Sequence, residues 1–423
     1  MPRKDRTNQG FPVETAERLY QEREKRVVDA ISLRLPDRVP IMVGFQFFPA
    51  PYSGVTARDL MYDPGTVRSS FLKVVRDFEP DMVQNPFGRL LGPLLDAVDC
   101  TQARWPGRNL PDHLPFQYVE EEYMLAEEYD HLLSDPSDFI VRRLWPRIFG
   151  ALKGLDRLPP LHNLCSYSVG TLFAFASPEV GEALDALRAL SAESIKVVAY
   201  AKAFEEELRS LGFPIEYGAS TQAPFDLLAD FFRGTRGLLL DLYRRPATVV
   251  AACEKFLPFL LEKAVLGARA SGNPRVFIPL HKGVDGAMSR EQYLKFYWPT
   301  LSDLMRALIA EGLYPCPFFE GEYSTRLDII KDIPPGKVCY KFESVDLGKA
   351  REVLGEEICL RGGVPASLLV TGTPEGVKER VRRLIDGAAK SGAFIMDSSS
   401  ALDDARPENV RALFEATTEY GRY

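Results

Sequence analysis

The chain has 423 residues, 46% of them apolar and 26% charged, which suffices to bury a core and excludes a disordered composition. Fifty-two Lys and Arg against 59 Asp and Glu leave a net charge of −7, so the electrostatic footprint of a nucleic-acid or anionic-membrane partner is missing. No stretch reaches the roughly 18 to 20 consecutive apolar residues of a membrane span, and six scattered cysteines without a C-x-x-C predict reduced thiols in a cytoplasmic protein.

Residues 1–15, "MPRKDRTNQGFPVET", have no apolar h-region and read as a disordered tail, with residues 16–423 as a single domain. The helical pattern "AERLYQEREKRVVDAISLRL" follows as an N-terminal extension. Eight short apolar runs then recur: "VPIMVGFQFF" from Val39, "DMVQNPFG" from Asp81, "IEYGASTQ" from Ile215, "VFIPLHKG" from Val276, "LYPCPFFEG" from Leu313, "VCYKFES" from Val338, "ICLRGGVP" from Ile358 and "AFIMDSS" from Ala393. Runs that are apolar throughout suit strands buried on both faces of a parallel sheet. Helical patterns lie between them. "SREQYLKFYWPTLSDLMRALIAEG" opens at Ser289 with Gln292 three residues on, and "TPEGVKERVRRLIDGAAKSG" opens on Thr373 and Pro374. The gap from about residue 90 to 214 predicts a helical insertion between strands 2 and 3, dominated by "SPEVGEALDALRALSAESIKVVAYAKAFEEELRSLG".

Eight strands each followed by a helix specify an α/β fold, a (β/α)8 TIM barrel, and an α/β sheet with a separate helical domain is the other arrangement. Barrel chemistry sits at the C-terminal strand ends, where these runs carry Gln46, Asn85, Glu216, His281 with Lys282, Glu320 with Glu322, Glu343, Arg361 and Asp397. His281, in the turn "PLHKG", and Glu320, leaving a buried strand, are the candidate catalytic pair, because a partly desolvated carboxyl beside an imidazole suits proton transfer or metal ligation. Gln46, Asn85, Lys282, Glu343 and Asp397 are candidate substrate contacts. His281, Glu320 and Asp397 are the candidate set for a divalent metal. For Gln46, Asn85, Arg361 and Glu322 the competing reading is a rim residue. Nucleotide and hydrolase signatures such as G-x-G-x-x-G and G-x-S-x-G are missing.

Four ordered blocks carry a family resemblance: "RVVDAISLRLPDRVPI", "GVDGAMSREQYLKFYWPTL", "DLGKAREVLGEEICLRGGVPASLLVTGTPEGVKERVRRLI" and "GAFIMDSSSALDDARPENVRALFEAT". From about Val27 onward the chain resembles the uroporphyrinogen decarboxylase superfamily of decarboxylases and corrinoid-linked, zinc-dependent methyltransferases. The resemblance implies a TIM barrel, methyl transfer or decarboxylation, a corrinoid cofactor or corrinoid protein partner, and a homodimer. Two departures bear on the activity. The decarboxylases' Arg-rich loop after the first strand corresponds here to "FQFFPAPYSG", without an arginine. The methyltransferases' zinc-thiolate positions correspond to Phe318, Glu320 and Ser400. The expected activity is therefore corrinoid (cobalamin)-linked methyl transfer on a small organic substrate. Decarboxylation of a tetrapyrrole or other cyclic acid, and non-catalytic corrinoid or tetrapyrrole binding, are the alternatives.

Overall fold

The third to eighth runs hydrogen-bond in chain order into one parallel sheet, formed by Ala219–Ser220, Arg275–Leu280, Tyr314–Phe319, Cys339–Phe342, Cys359–Val364 and Phe394–Ser398. The structure is a computed structural model and describes residues 13–89, 91–165 and 169–423. Register pairs Phe277 with Cys316, Phe318 with Lys341, Cys339 with Cys359 and Gly363 with Asp397. The fold is thus α/β with a parallel sheet, as the buried runs predict.

The first two runs do not lengthen into strands. Pro40 has no N–H to donate, Gln46 sits at φ 50, and Pro80 and Pro86 bracket the second run. Single parallel bridges join Ile41 to Met396 and Val83 to Ile215. Around them Asp81 N donates to Ile41 O at 2.9 Å, Glu216 N to Val83 O at 3.0 Å and Met42 N to Met396 O at 3.0 Å.

Side chains alternate across a strand, and here the two faces have different company. Val276, Ile278, Leu280, Phe319, Tyr340, Phe342, Leu360, Phe394 and Met396 belong to the main apolar core. Their alternates Cys316, Cys339, Cys359 and Ile395 form a second cluster with Met42, Met82 and with Val27, Ala30 and Ile31 of the N-terminal helix. That helix, Val13–Ile31, starts inside the expected tail and covers the N-terminal ends of the strands. Arg26 pairs with buried Asp81 at 2.5 Å, and Glu24 with buried Arg275 at 2.5 Å. Residues 1–12 of the expected tail lie outside the described residues.

The insertion holds the helix Pro178–Ser210, whose Phe204 and Leu208 join the main core, while Leu152, Leu155, Leu158, Val180 and Ala183 form a small core of their own. It also contains an antiparallel pair, Ala103–Arg104 with Gln117–Tyr118, that the sequence pattern does not announce. The helix expected over 289–312 opens with the Ser289/Gln292 capping box but passes through a π turn at Tyr293–Tyr297 before Trp298–Ala310. Pro299 cannot donate to the carbonyl four residues back, and the wider turn absorbs the missing bond. Among the described residues no helix is long and apolar enough to cross a membrane.

Candidate active site

Two-residue steps along the inner face build three layers, each about 6.6 Å apart. Cys316, Cys339 and Cys359 lie lowest, with Phe277 in register with Cys316. Phe318, Lys341 and Arg361 come next, and His281, Glu320 and Glu343 stand at the C-terminal ends, with Asp397 in register with Gly363 on the last two strands. The Gly321 amide, at φ 90, donates to Glu343 at 2.6 Å, which ties the turn after Glu320 to the next strand end. A side chain is disfavoured at that φ, and a Cβ would also meet Val284 at 2.8 Å.

His281 is the hub. Its Nδ1 lies 2.6 Å from Asp230 Oδ2, and its Nε2 lies 3.7 Å from Glu320 Oε1. Its backbone N–H donates to Asp226 Oδ2 at 2.9 Å, and the Lys282 N–H donates to Asp226 Oδ1 at 3.0 Å. Tyr297 OH completes the Asp226 carboxylate with a 2.7 Å bond. Lys282 Nζ reaches Glu120 Oε2 at 2.7 Å and Asp230 Oδ1 at 3.1 Å. Glu120 in turn accepts from the Thr235 amide at 2.7 Å, so the insertion supplies part of the rim.

Burial pulls the His281 imidazole down, but the hydrogen bond with Asp230, the facing Glu320 carboxylate and the charges of Asp226 and Asp230 outweigh it and push it up to about 10. The ring is therefore an imidazolium at neutral pH. Burial first, then the Asp230 charge, raises Asp226 to about 6 against the pull of His281 and Tyr297. Lys282 moves up: burial opposes its charge, and Glu120 and Asp230 more than restore it.

The strand-end candidates divide. His281, Lys282, Glu320 and Glu343 converge, joined through Asp230 and Gly321. Asp397 is set apart by burial: fully buried, it is held by Arg361 at 2.8 Å and Lys341 at 2.7 Å. Arg361 also binds Glu216 at 2.5 Å, Tyr217 OH at 2.8 Å and Met42 O at 2.9 Å. Gln46 stands beside Gln84 at the end of the first run. Asn85 is spent on structure: its amide donates to Ala201 O at 3.1 Å and Glu205 Oε1 at 2.8 Å and its oxygen accepts from Phe87 N at 3.0 Å, anchoring the long insertion helix. Glu322 is an exposed rim residue that closes its own turn onto Ser324.

As a metal set, His281, Glu320 and Asp397 do not fit. Asp397 already neutralises two cations, Lys341 and Arg361. No group of three or more His, Cys, Asp or Glu among the described residues is arranged to hold a metal ion. A cavity of about 1190 Å³ opens on the opposite side, where the first run enters, lined by Arg23, Arg38, Arg76, Arg411 and Arg422 interleaved with carboxylates, and does not include the strand-end residues.

Sequence reasoning missed Asp226, Asp230 and Tyr297. The signal was present in "PFDLLADFF", where two carboxylates four residues apart share a helical face inside an otherwise apolar run.

The model of the uroporphyrinogen decarboxylase (URO-D) family matches residues 175–420, a span that contains every member of the His281 cluster except Glu120. The chain belongs to the uroporphyrinogen decarboxylase family. Curated relatives include a uroporphyrinogen decarboxylase of Chlorobium luteolum, 25% identical over 183 residues (42% of this chain and 51% of that protein), and one of Chlorobium phaeovibrioides, 28% identical over 138 residues (31% and 39%). The chain spans about half the length of the first of these relatives, or less in the second. Among solved structures, a methyltransferase from Methanosarcina mazei shares the fold at a TM-score of 0.61 and 14% identity, covering 94% of this chain and 98% of that one. The family and the fold thus agree with the strand pattern.

Proposed function

We propose that this chain is an enzyme that moves a methyl group off a heteroatom of a small organic substrate, in partnership with a corrinoid, and that its eight runs act as the staves of a closed (β/α)8 barrel. The observation that carries the reading is His281 held between Asp230 and Glu320 at the strand ends. The bonds tying the first run to the second and the eighth support closure.

An imidazolium whose Nδ1–H is fixed by Asp230 presents its other N–H toward Glu320 and toward whatever enters beside it. When a methyl group departs, the carbon–heteroatom bond breaks and its electron pair stays on the heteroatom. Where the heteroatom is uncharged, proton donation from His281 Nε2 lets it leave neutral and solvent at the exposed mouth returns the proton to the ring, with the Glu320 carboxylate facing the imidazolium; a cationic heteroatom leaves neutral without it. Lys282, Glu343 and Gln46 would shape the pocket. His281 and Glu320 are about one-third exposed, which fits an approach by a corrinoid carrier from outside the mouth. A bound corrinoid would supply the methyl acceptor.

Decarboxylation is the second reading, favoured by the curated relatives. Charge argues against a polycarboxylate substrate, because the first strand end, "FQFFPAPYSG", brings no arginine and carboxylates dominate the mouth. The test is turnover of methylated substrates with an added corrinoid, followed by its visible spectrum, in wild type and Glu320→Gln. The expected loss is about 10²- to 10⁴-fold with the circular dichroism unchanged. An undiminished rate sinks the assignment, and release of CO2 from uroporphyrinogen would promote the second reading.

A further inference from the structure

The mouth holds more negative charge than the proton chemistry uses. Around His281 and Lys282 stand Asp230, Glu120, Glu320 and Glu343. Four carboxylates thus face two cations. Away from the rim the ions offset each other, Lys341 and Arg361 against Asp397 and Glu216.

Aromatic rings line the inner face below the mouth. Phe277 and Phe318 lie half-buried on the inner face, and the Tyr217 ring stands 5.0 Å from Phe277. That face already seats one cation in this way: the Lys341 ammonium lies 4.6 Å from the centre of the Phe318 ring, with Asp397 behind it. A second observation is independent of the rim. Glu216 is fully buried beside Tyr217, and Arg361 takes only its Oε1; among the described residues its Oε2 meets no donor. A buried carboxylate oxygen without a partner calls for a donor in the ligand or solvent.

We propose that the concave face is a binding site for a small organic cation of the methylated-ammonium class, an inference that rests on reading the mouth as the reaction site. The ring faces attract a cation through their quadrupoles, and methyl groups on nitrogen make it cheap to desolvate against them. The excess of carboxylates draws it in and repels anions. An ammonium that keeps an N–H also has a donor to give to Glu216.

Calorimetric titration of the full chain with three near-isosteric probes tests this: trimethylammonium, tert-butanol and pivalate. Trimethylammonium should bind at least tenfold tighter than pivalate. Its affinity should fall several-fold between about 20 and 200 mM salt, as screening shortens the reach of the carboxylates, and fall again in Glu343→Gln. Pivalate or tert-butanol binding as tightly, or a trimethylammonium affinity indifferent to both salt and Glu343→Gln, overturns the inference. Cation binding without any methyl transfer would support the site and end the methyl-transfer reading. Methyl transfer from uncharged substrates with no cation binding would do the reverse.

Discussion

Replacing Asp230 by Asn keeps the size of the side chain beside His281 and removes its charge. The imidazole stands at about 10 against an ordinary 6.5, and Asp230 supplies both a 2.6 Å hydrogen bond and a direct charge to that rise. Losing one close carboxylate moves a pKa by about 1 to 2 units, so His281 in the variant should titrate near 8 to 9. The raised value is also a stability statement. The ion pair's contribution is fully present below about pH 6.5 and is lost as pH rises toward 10. The whole shift corresponds to about 5 kcal/mol; with 34% of the side chain exposed, solvent screening reduces that to about 2 kcal/mol. Asp230→Asn should remove roughly half of it at neutral pH and leave little at pH 10. With only four histidines in the chain, an NMR titration of the imidazole signals resolves His281 directly, and urea unfolding at pH 6.5 and 10 reads the stability. A wild-type His281 that titrates near 6.5, or a titration unmoved in the variant, refutes the reasoning.

Asp226→Ala strips three donors of their acceptor, the amides of His281 and Lys282 and the Tyr297 hydroxyl. It should cost about 3 to 5 kcal/mol in denaturant unfolding and shift the His281 NMR signals. Arg361→Met leaves Glu216 and Asp397 buried without their shared cation and should destabilise by about 3 to 5 kcal/mol; a neutral result would mean the network is not closed as described. Asn85→Ala should cost about 1 to 2 kcal/mol and make the Pro178–Ser210 helix a preferred proteolytic site, with His281 titration untouched. A thiol reagent should label exposed Cys165 rapidly in the native protein, while buried Cys253, Cys316, Cys339 and Cys359 react only after unfolding; burial also pushes the thiols of Cys253, Cys316 and Cys359 up.

Much of the architecture was legible because strand ends are a local property. An apolar run closing on a charged residue announces a buried strand and its exit, and His281, Glu320 and Glu343 stand at such exits with the same inward parity. The same rule overreached at Asn85. Its side chain turns to the Pro178–Ser210 helix, a contact more than a hundred residues away in sequence that no local pattern encodes. It overreached again in length, since prolines and a left-handed Gln46 left the first two runs with single bridges.

What the sequence by itself determined is the alternation that places a histidine and two carboxylates on one face of a parallel sheet, and the four blocks that carry the family. What only the tertiary structure decided is the state of that histidine. Asp226 and Asp230 lie some fifty residues before His281, on the turns that follow the third strand, and Glu120 comes from the insertion. Packing alone brings their charges within hydrogen-bonding distance. Charge acts through space and not along the chain, so the imidazolium at the mouth belongs to the fold.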